Sequence, residues 1–371
     1  MGLTPTWYVA DFMTGDLIDT FPLEGVQLES SLRPGMFSAS LDLRKTGRSM
    51  GEARELLDLL KNGKGTLVPV LEGLSNGAGN PPISRELGEW WIGQVAGTYR
   101  SPIVQISGPE FSGYAREVLL AEDFKGTLDP VKTAREMLAL LYSRSQTVAV
   151  DLQGWVSHTG ARVEVDARKI RDTYWDHISD LQEAEGGPFE WMIRSGLVTT
   201  GWVPQRVTRT LEIGQPTLAF SRPDITLEVT GPGSQPASLL DAGWGWDERA
   251  SASTVYGWGA GAGADQVGEA FASRSREPGE PVKNRLVTDP AAMTMDRLRR
   301  TTRAALRRFS PEERTFTATM PTDRYTPRTG EVYQWRSDPT WTRPGETGTV
   351  RCVGWSWSSS HPDDYTLDLV R

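Results

Sequence analysis

DARKIRDTYWDHISDLQEAEGGPFEWMIR, residues 166–194, holds a helix, a double glycine and a strand in that order. Ile170, Tyr174, Ile178 and Leu181 recur at spacings of 4, 4 and 3, one apolar stripe of a helix. Asp166 is placed to accept from the free N–H groups of the first turn. Gly186-Gly187 supplies the positive-φ exit that a helix end favours, and Pro188 blocks continuation. Phe189 to Arg194 then carries large apolar side chains on both faces, as a mostly buried strand does. The stretch contains no obvious nucleophile or ligand set. It reads as a packing centre, which argues against an enzyme.

The chain of 371 residues is long enough for two or three domains and a sizeable core. Its single cysteine, Cys352, excludes an intrachain disulfide framework. A net charge of −8 favours solubility and disfavours nonspecific nucleic-acid binding by the whole surface. Met1 to Thr20 lacks the basic start and apolar core of a signal peptide, and no apolar run approaches the ~20 residues of a membrane span. The 38 Gly and 24 Pro, with many short β-prone runs, point to a β-rich chain with many turns. Fourteen Trp suit a core and subunit contacts, since interfaces favour Trp; a surface row for sugars is the alternative.

Taken in order, Trp7–Phe12, Leu17–Pro22, Val26–Ser30 and Phe37–Leu43 read as a meander with one buried face. Ser49 to Glu52 fits a capping box, and Ala53, Leu56, Leu57 and Leu60 supply the helical stripe after it. Gly65 to Leu71 is a strand that Pro69 pushes toward a sheet edge. Glu89–Val95 and Ile103–Ile106 form another strand pair, so 1–109 reads as an N-terminal β-barrel-like module. Asp129-Pro130 opens a second helix, and 110–200 reads as an α/β module. Residues 201–290 are β-rich with Gly/Trp-rich loops, and Gln266 to Ser275 fits helix or strand equally. Residues 291–371 comprise a helix from Met295 to Phe309 and a C-terminal β-barrel-like module. The fold class is therefore mainly β, with two β-barrel-like modules flanking a central α/β region.

Each chemical motif has a bland reading that outweighs it. Gly259 to Gly263 follows a strand, yet the third glycine of a dinucleotide fingerprint falls on Ala264 or Gln266. The three histidines show no HxxxH or HExxH spacing for zinc. His177 is a packed or half-exposed helix residue. Cys352 and His361 could face each other across a hairpin, but a Cys–His hydrolase also needs a third, orienting group. No carboxylate pair sits in a cleft-like motif for glycoside hydrolysis. Six arginines on the 295–309 helix fit a solvated face better than a nucleic-acid face. No catalytic, cofactor or metal site is expected. Trp244, Trp246 and Trp258, set in loop-rich sequence, are the candidate assembly-interface residues.

Several stretches together resemble minor tail proteins of long-tailed phages of actinobacteria. The opening Trp7-Tyr8-Val9-Ala10-Asp11, Thr14-Gly15-Asp16-Leu17-Ile18 and Pro22 carry part of the likeness, followed by Leu32-Arg33-Pro34-Gly35 and Leu41-Asp42-Leu43. Phe111 to Ala115 before Asp129-Pro130, and the helix–Gly186-Gly187–Phe189-Glu190-Trp191 unit, are similar to the middle of tail hub proteins. Ser253 to Gly261 looks like the same group's "vy.vGaG" stretch. Tyr325 to Gly330 and Thr349 to Leu369 fit its closing β-module, with Thr329-Gly330-Glu331-Val332 departing from the usual "pGD.v". The order of these motifs along nearly the whole chain is the informative part. The resemblance implies a homotrimeric hub at the tail tip, a non-enzymatic virion protein made in the host cytoplasm. Its two related β-barrels per chain would match a six-fold distal tail ring. It would touch the tape-measure protein and other minor tail or receptor-binding proteins, and open for DNA.

Overall fold

The computed structural model describes residues 5–74, 83–98, 100–143, 148–152, 162–182, 189–201, 203–229, 239–245, 252–260, 269–274, 282–288, 294–308, 315–322, 325–338 and 345–371. Among these residues strands dominate, with four α-helices: α1 Met50–Lys61, α2 Pro130–Ser143, α3 Tyr174–Gln182 and α4 Met295–Arg308. This is the mainly β architecture with an α/β region in mid-chain. Among the described residues no helix is long and apolar enough to cross a membrane.

The two ends of the chain meet in one ten-stranded sheet. Its path runs from Asp241–Gly245 through Thr315–Pro321, His361–Val370 and Glu346–Ser358. There Trp355 registers with Ser30, and the path continues through Leu23–Ser31, Met36–Asp42 and Ile103–Pro109 to Gln94–Gly97. Thr6–Asp11 and Gly65–Leu74 belong to a second sheet of five strands. The core cluster they share is mostly aliphatic, with a set of ring contacts inside it. Trp90 meets Trp355 edge-on at 6.3 Å, Trp355 meets Tyr365 at 5.7 Å, and Trp7 lies 5.6 Å from Trp357. Large rings are used here because a few of them bury much apolar area in preferred tilted geometries.

The local signals are mostly realised. Ser49 caps α1 with a full capping box to Glu52. Asp129 accepts from the Lys132 amide at 3.0 Å and Pro130 opens α2. The 266–275 stretch contains a strand, Glu269–Ser273. Two expectations are corrected. Asp166 does not cap α3; it lies in the strand Val163–Ala167, opposite Lys125. The cap is Thr173, whose hydroxyl accepts from the Asp176 amide while Asp176 accepts from the Thr173 amide. Ile170 leaves the helical stripe and sits 71% exposed with φ +60 in the strand-to-helix turn. The stripe that packs is Tyr174, His177, Ile178 and Leu181. The second correction is Pro69, which lies in a central strand rather than an edge. Opposite it the neighbouring edge is split into Ile83–Glu86 and Trp90–Trp91, and Leu87 in the gap donates to the Pro69 carbonyl. No partner there needs the N–H that proline lacks. The Gly186-Gly187 exit lies outside the described residues. Beyond it, Trp191, Met192 and Ile193 are buried, as expected, at the start of the strand Glu190–Thr200.

The α/β region is locked to the N-terminal strands by one buried ion pair. Glu190–Thr200 and Val203–Gly214 form a long hairpin, and Arg209 projects from its second strand. Its guanidinium donates to both Glu89 oxygens at 2.9 and 2.6 Å, and to the Phe12 and Asp11 carbonyls at 2.7 and 3.2 Å. It also lies 4.1 Å from the Phe111 ring centre. Thr66 donates to Glu89 at 2.6 Å. Both side chains are fully buried, so the pair tolerates no half measure. Arg209→Met is expected to destabilise by about 3–5 kcal/mol by leaving a buried carboxylate unpaired. Arg209→Met with Glu89→Leu should recover part of that loss. Urea unfolding of both variants checks it, and a double variant no better than the single one would refute the coupling.

Candidate assembly surface

The three-stranded sheet Glu269–Ser273, Thr254–Trp258, Asn284–Thr288 is built with its large side chains outward. Inward, Val255 and Ala270 pack with Ala305 and Leu298 of α4. A Cβ on Gly257 would come within 2.0 Å of the Thr302 hydroxyl, so only glycine lets the helix sit this close. Val255 and Gly257 alternate with Tyr256 and Trp258, which therefore face the other side. Register places Phe271 and Leu286 on either side of Tyr256, in one cross-strand row. Phe271 is 71% exposed, Leu286 64% and Trp258 45%. A contiguous apolar row of this kind on a sheet face is a candidate interaction surface.

Of the expected interface tryptophans that the structure describes, Trp258 falls on this face. Trp244 lies in the strand Asp241–Gly245 at one edge of the ten-stranded sheet, opposite Phe316. Trp246 lies outside the described residues. Tyr256, Phe271 and Leu286 were not singled out by sequence. The signal for Phe271 was present in Ala270-Phe271-Ala272, where a strand alternates small and large residues. The unresolved choice between helix and strand hid it.

The chemical alternatives do not assemble. Cys352 registers with Leu369 and His361 with Ser358, so the two do not face each other. Burial raises the Cys352 thiol well above its ordinary pKa, with the charge of Glu331 adding to it. Trp355 and Trp357 are buried and form no exposed row for sugars. On α4, Arg299 pairs with Asp296 at 3.5 Å and Arg300 with Glu164 at 3.3 Å. Gly259 and Ala260 follow the Thr254–Trp258 strand, and Gly261 to Gly263 lie outside the described residues. Among the described residues no three His, Cys, Asp or Glu side chains cluster as metal ligands would.

Two carboxylates, Glu89 and Glu110, do line one cavity, but its volume is about 30 Å³, room for a water and not a sugar. Glu110 accepts from the Gly35 amide at 2.9 Å and the Ser31 amide at 3.3 Å. Burial pushes its carboxyl up from 4.5 to about 7, against the opposing pull of Ser30, these two amides and the Arg194 charge.

No family model matches the chain, and no curated protein matches it. Solved structures do. A tail protein from Neisseria meningitidis MC58 matches 99% of this chain and 97% of its own, with TM-score 0.56 and 14% identity. The 43 kDa tail protein of prophage MuSo2 from Shewanella oneidensis matches 99% and 98%, with TM-score 0.54 and 11% identity. A chain of the Francisella PdpA-VgrG complex matches over 99% of this chain and 57% of its own, with TM-score 0.50 and 7% identity. At such identities the likeness defines the fold: this chain has the fold of phage tail proteins.

Two outcomes follow from the geometry. Glu110 binds its proton more tightly folded than unfolded, so its contribution to stability is complete below pH 4.5 and lost as pH rises through about 7. Glu110→Gln keeps an acceptor for both amides. It should therefore gain on the wild type by on the order of 2–3 kcal/mol between pH 5 and pH 8, read as the difference in urea-unfolding free energy. Equal pH profiles would contradict the buried acid. Phe271→Lys, at an exposed position, should leave the monomer's stability within about 0.5 kcal/mol. A larger loss in thermal unfolding would mean that the apolar face is internal packing.

Proposed function

We propose that the chain is a structural component of the phage virion, the tail hub, three copies of which close the tail tube at its tip. The near full-length match to the Neisseria and Shewanella tail proteins carries this reading. The joining of both chain ends in one sheet supports it, because two β regions per chain give a trimer six wall segments to set against a six-fold ring. The hub contacts the distal tail ring, the tape-measure protein and other minor tail or receptor-binding proteins, and DNA passes through it once it opens. The Tyr256–Phe271–Leu286 face, with Trp258, is the subunit contact of the trimer, since a row this apolar is covered in the assembled particle. The role is non-enzymatic. A carbohydrate-binding tail protein is less well supported, because Trp355 and Trp357 are buried.

Gold-labelled antibody on intact and disrupted particles is expected to mark the junction of tail tube and tip. Quantitative mass spectrometry should count three copies per particle. Label along fibres would favour receptor binding, and absence from disrupted particles would end every virion reading. For the contact itself, light scattering of the purified chain should report trimers for the wild type and monomers for Phe271→Lys with Leu286→Lys. Trimers in both would move the interface elsewhere.

A further inference from the structure

The outer face of the ten-stranded sheet carries a groove of about 650 Å³ that spans strands from both ends of the chain. One cross-strand row over it is Thr319, Thr366, Ser356 and Glu29. The next is Ser358, Gln27, Ser38, Ser107 and Gln94, with Ser107 donating to Gln94 at 3.2 Å. Seven of the fourteen lining residues carry a hydroxyl or an amide, Glu29 and Asp364 add negative charge, and Met36 adds a half-exposed apolar side chain. Among the described residues no Lys or Arg lines this groove, and His361, bonded to Ser360, is the basic group there.

Such a face is easily wetted, because each hydroxyl or amide both donates to and accepts from water. It also lacks what double-stranded DNA binds. Affinity for a phosphate backbone comes from Lys and Arg that release its counterions, and each contact removed weakens it. We infer that this face is the wall of the DNA conduit, a surface that a polyanion slides past over a water layer without being held. The inference rests on the hub reading and adds to it which face looks inward. The rows pass from C-terminal to N-terminal strands through the Glu346–Ser358 to Leu23–Ser31 pairing, so the wall has no seam within a chain.

The test uses particles assembled with Ser38→p-benzoylphenylalanine or Ser356→p-benzoylphenylalanine, and with Glu55→p-benzoylphenylalanine on the exposed side of α1 as control. Illumination during ejection should crosslink the chain to DNA from positions 38 and 356 and not from 55. Particles that contain the chain but give no DNA adduct from 38 or 356 overturn the wall while leaving the hub intact. Particles that lack the chain altogether overturn the hub reading itself. Independently, purified Ser38→Lys, Ser356→Lys, Thr366→Lys triple variant should bind a 30-base-pair duplex at low salt at least tenfold more tightly than the wild type. Its particles should eject DNA several-fold more slowly. Tight duplex binding with unchanged ejection would place the face away from the DNA path.

Discussion

The buried Arg209–Glu89 pair is the contact on which the rest of the structure depends. Arg209 comes from the hairpin of the α/β region, Glu89 from the turn before Trp90, and the carbonyls of Asp11 and Phe12 from the end of the first strand. The hairpin lies far from the other two in sequence and forms a sheet of its own, whereas the first strand and Trp90–Trp91 share the five-stranded sheet. A cation with five fixed donors can join them because a guanidinium satisfies several acceptors in one plane. The neighbouring Arg194 repeats the logic at lower burial, donating to Glu212 and to the Thr329 carbonyl near the C-terminal strands. Charge thus fixes how the mid-chain region sits on the β framework, while apolar area supplies most of the driving force.

What was legible in the sequence follows from range. Ser49 and Glu52, or Asp129 and Pro130, decide a helix start within four residues, and both were read correctly. Asp166 failed because strand pairing opposite Lys125 removes it from the helix, and the cap is made seven residues on by Thr173. Pro69 failed for a related reason: whether a strand is an edge depends on what lies opposite each residue, and here the neighbour is broken at that one point. The meeting of the two chain ends in a single sheet is a pairing across more than three hundred residues, and no local pattern encodes it.

The candidate site was legible only in part, through an inversion of the usual alternation. Large residues ordinarily point into a core and small ones outward. In the Thr254–Trp258 sheet the small residues face α4, because Gly257 and the alanines let the helix axis approach closely. The aromatic residues are left outside. Sequence reasoning picked Trp258 from its loop-rich surroundings, which was the wrong ground for a residue that lies in a strand. The better ground is that glycine and alanine at one parity leave the other parity to carry the large side chains wherever they must go.

The described surfaces therefore divide by chemistry. One sheet face is apolar and small, with Phe271 and Leu286 exposed. Another carries a groove rich in hydroxyls that, among the described residues, no lysine or arginine lines. A protein working alone in water gains nothing from the first, since exposed apolar rows invite association. A protein meant to grip a nucleic acid would not keep the second so bare of cations. Both fit the proposed hub, an assembly that would close on itself through one face while a polyanion crosses it along the other. The physical requirement is then opposite on the two faces: adhesion between copies, and none toward what passes between them.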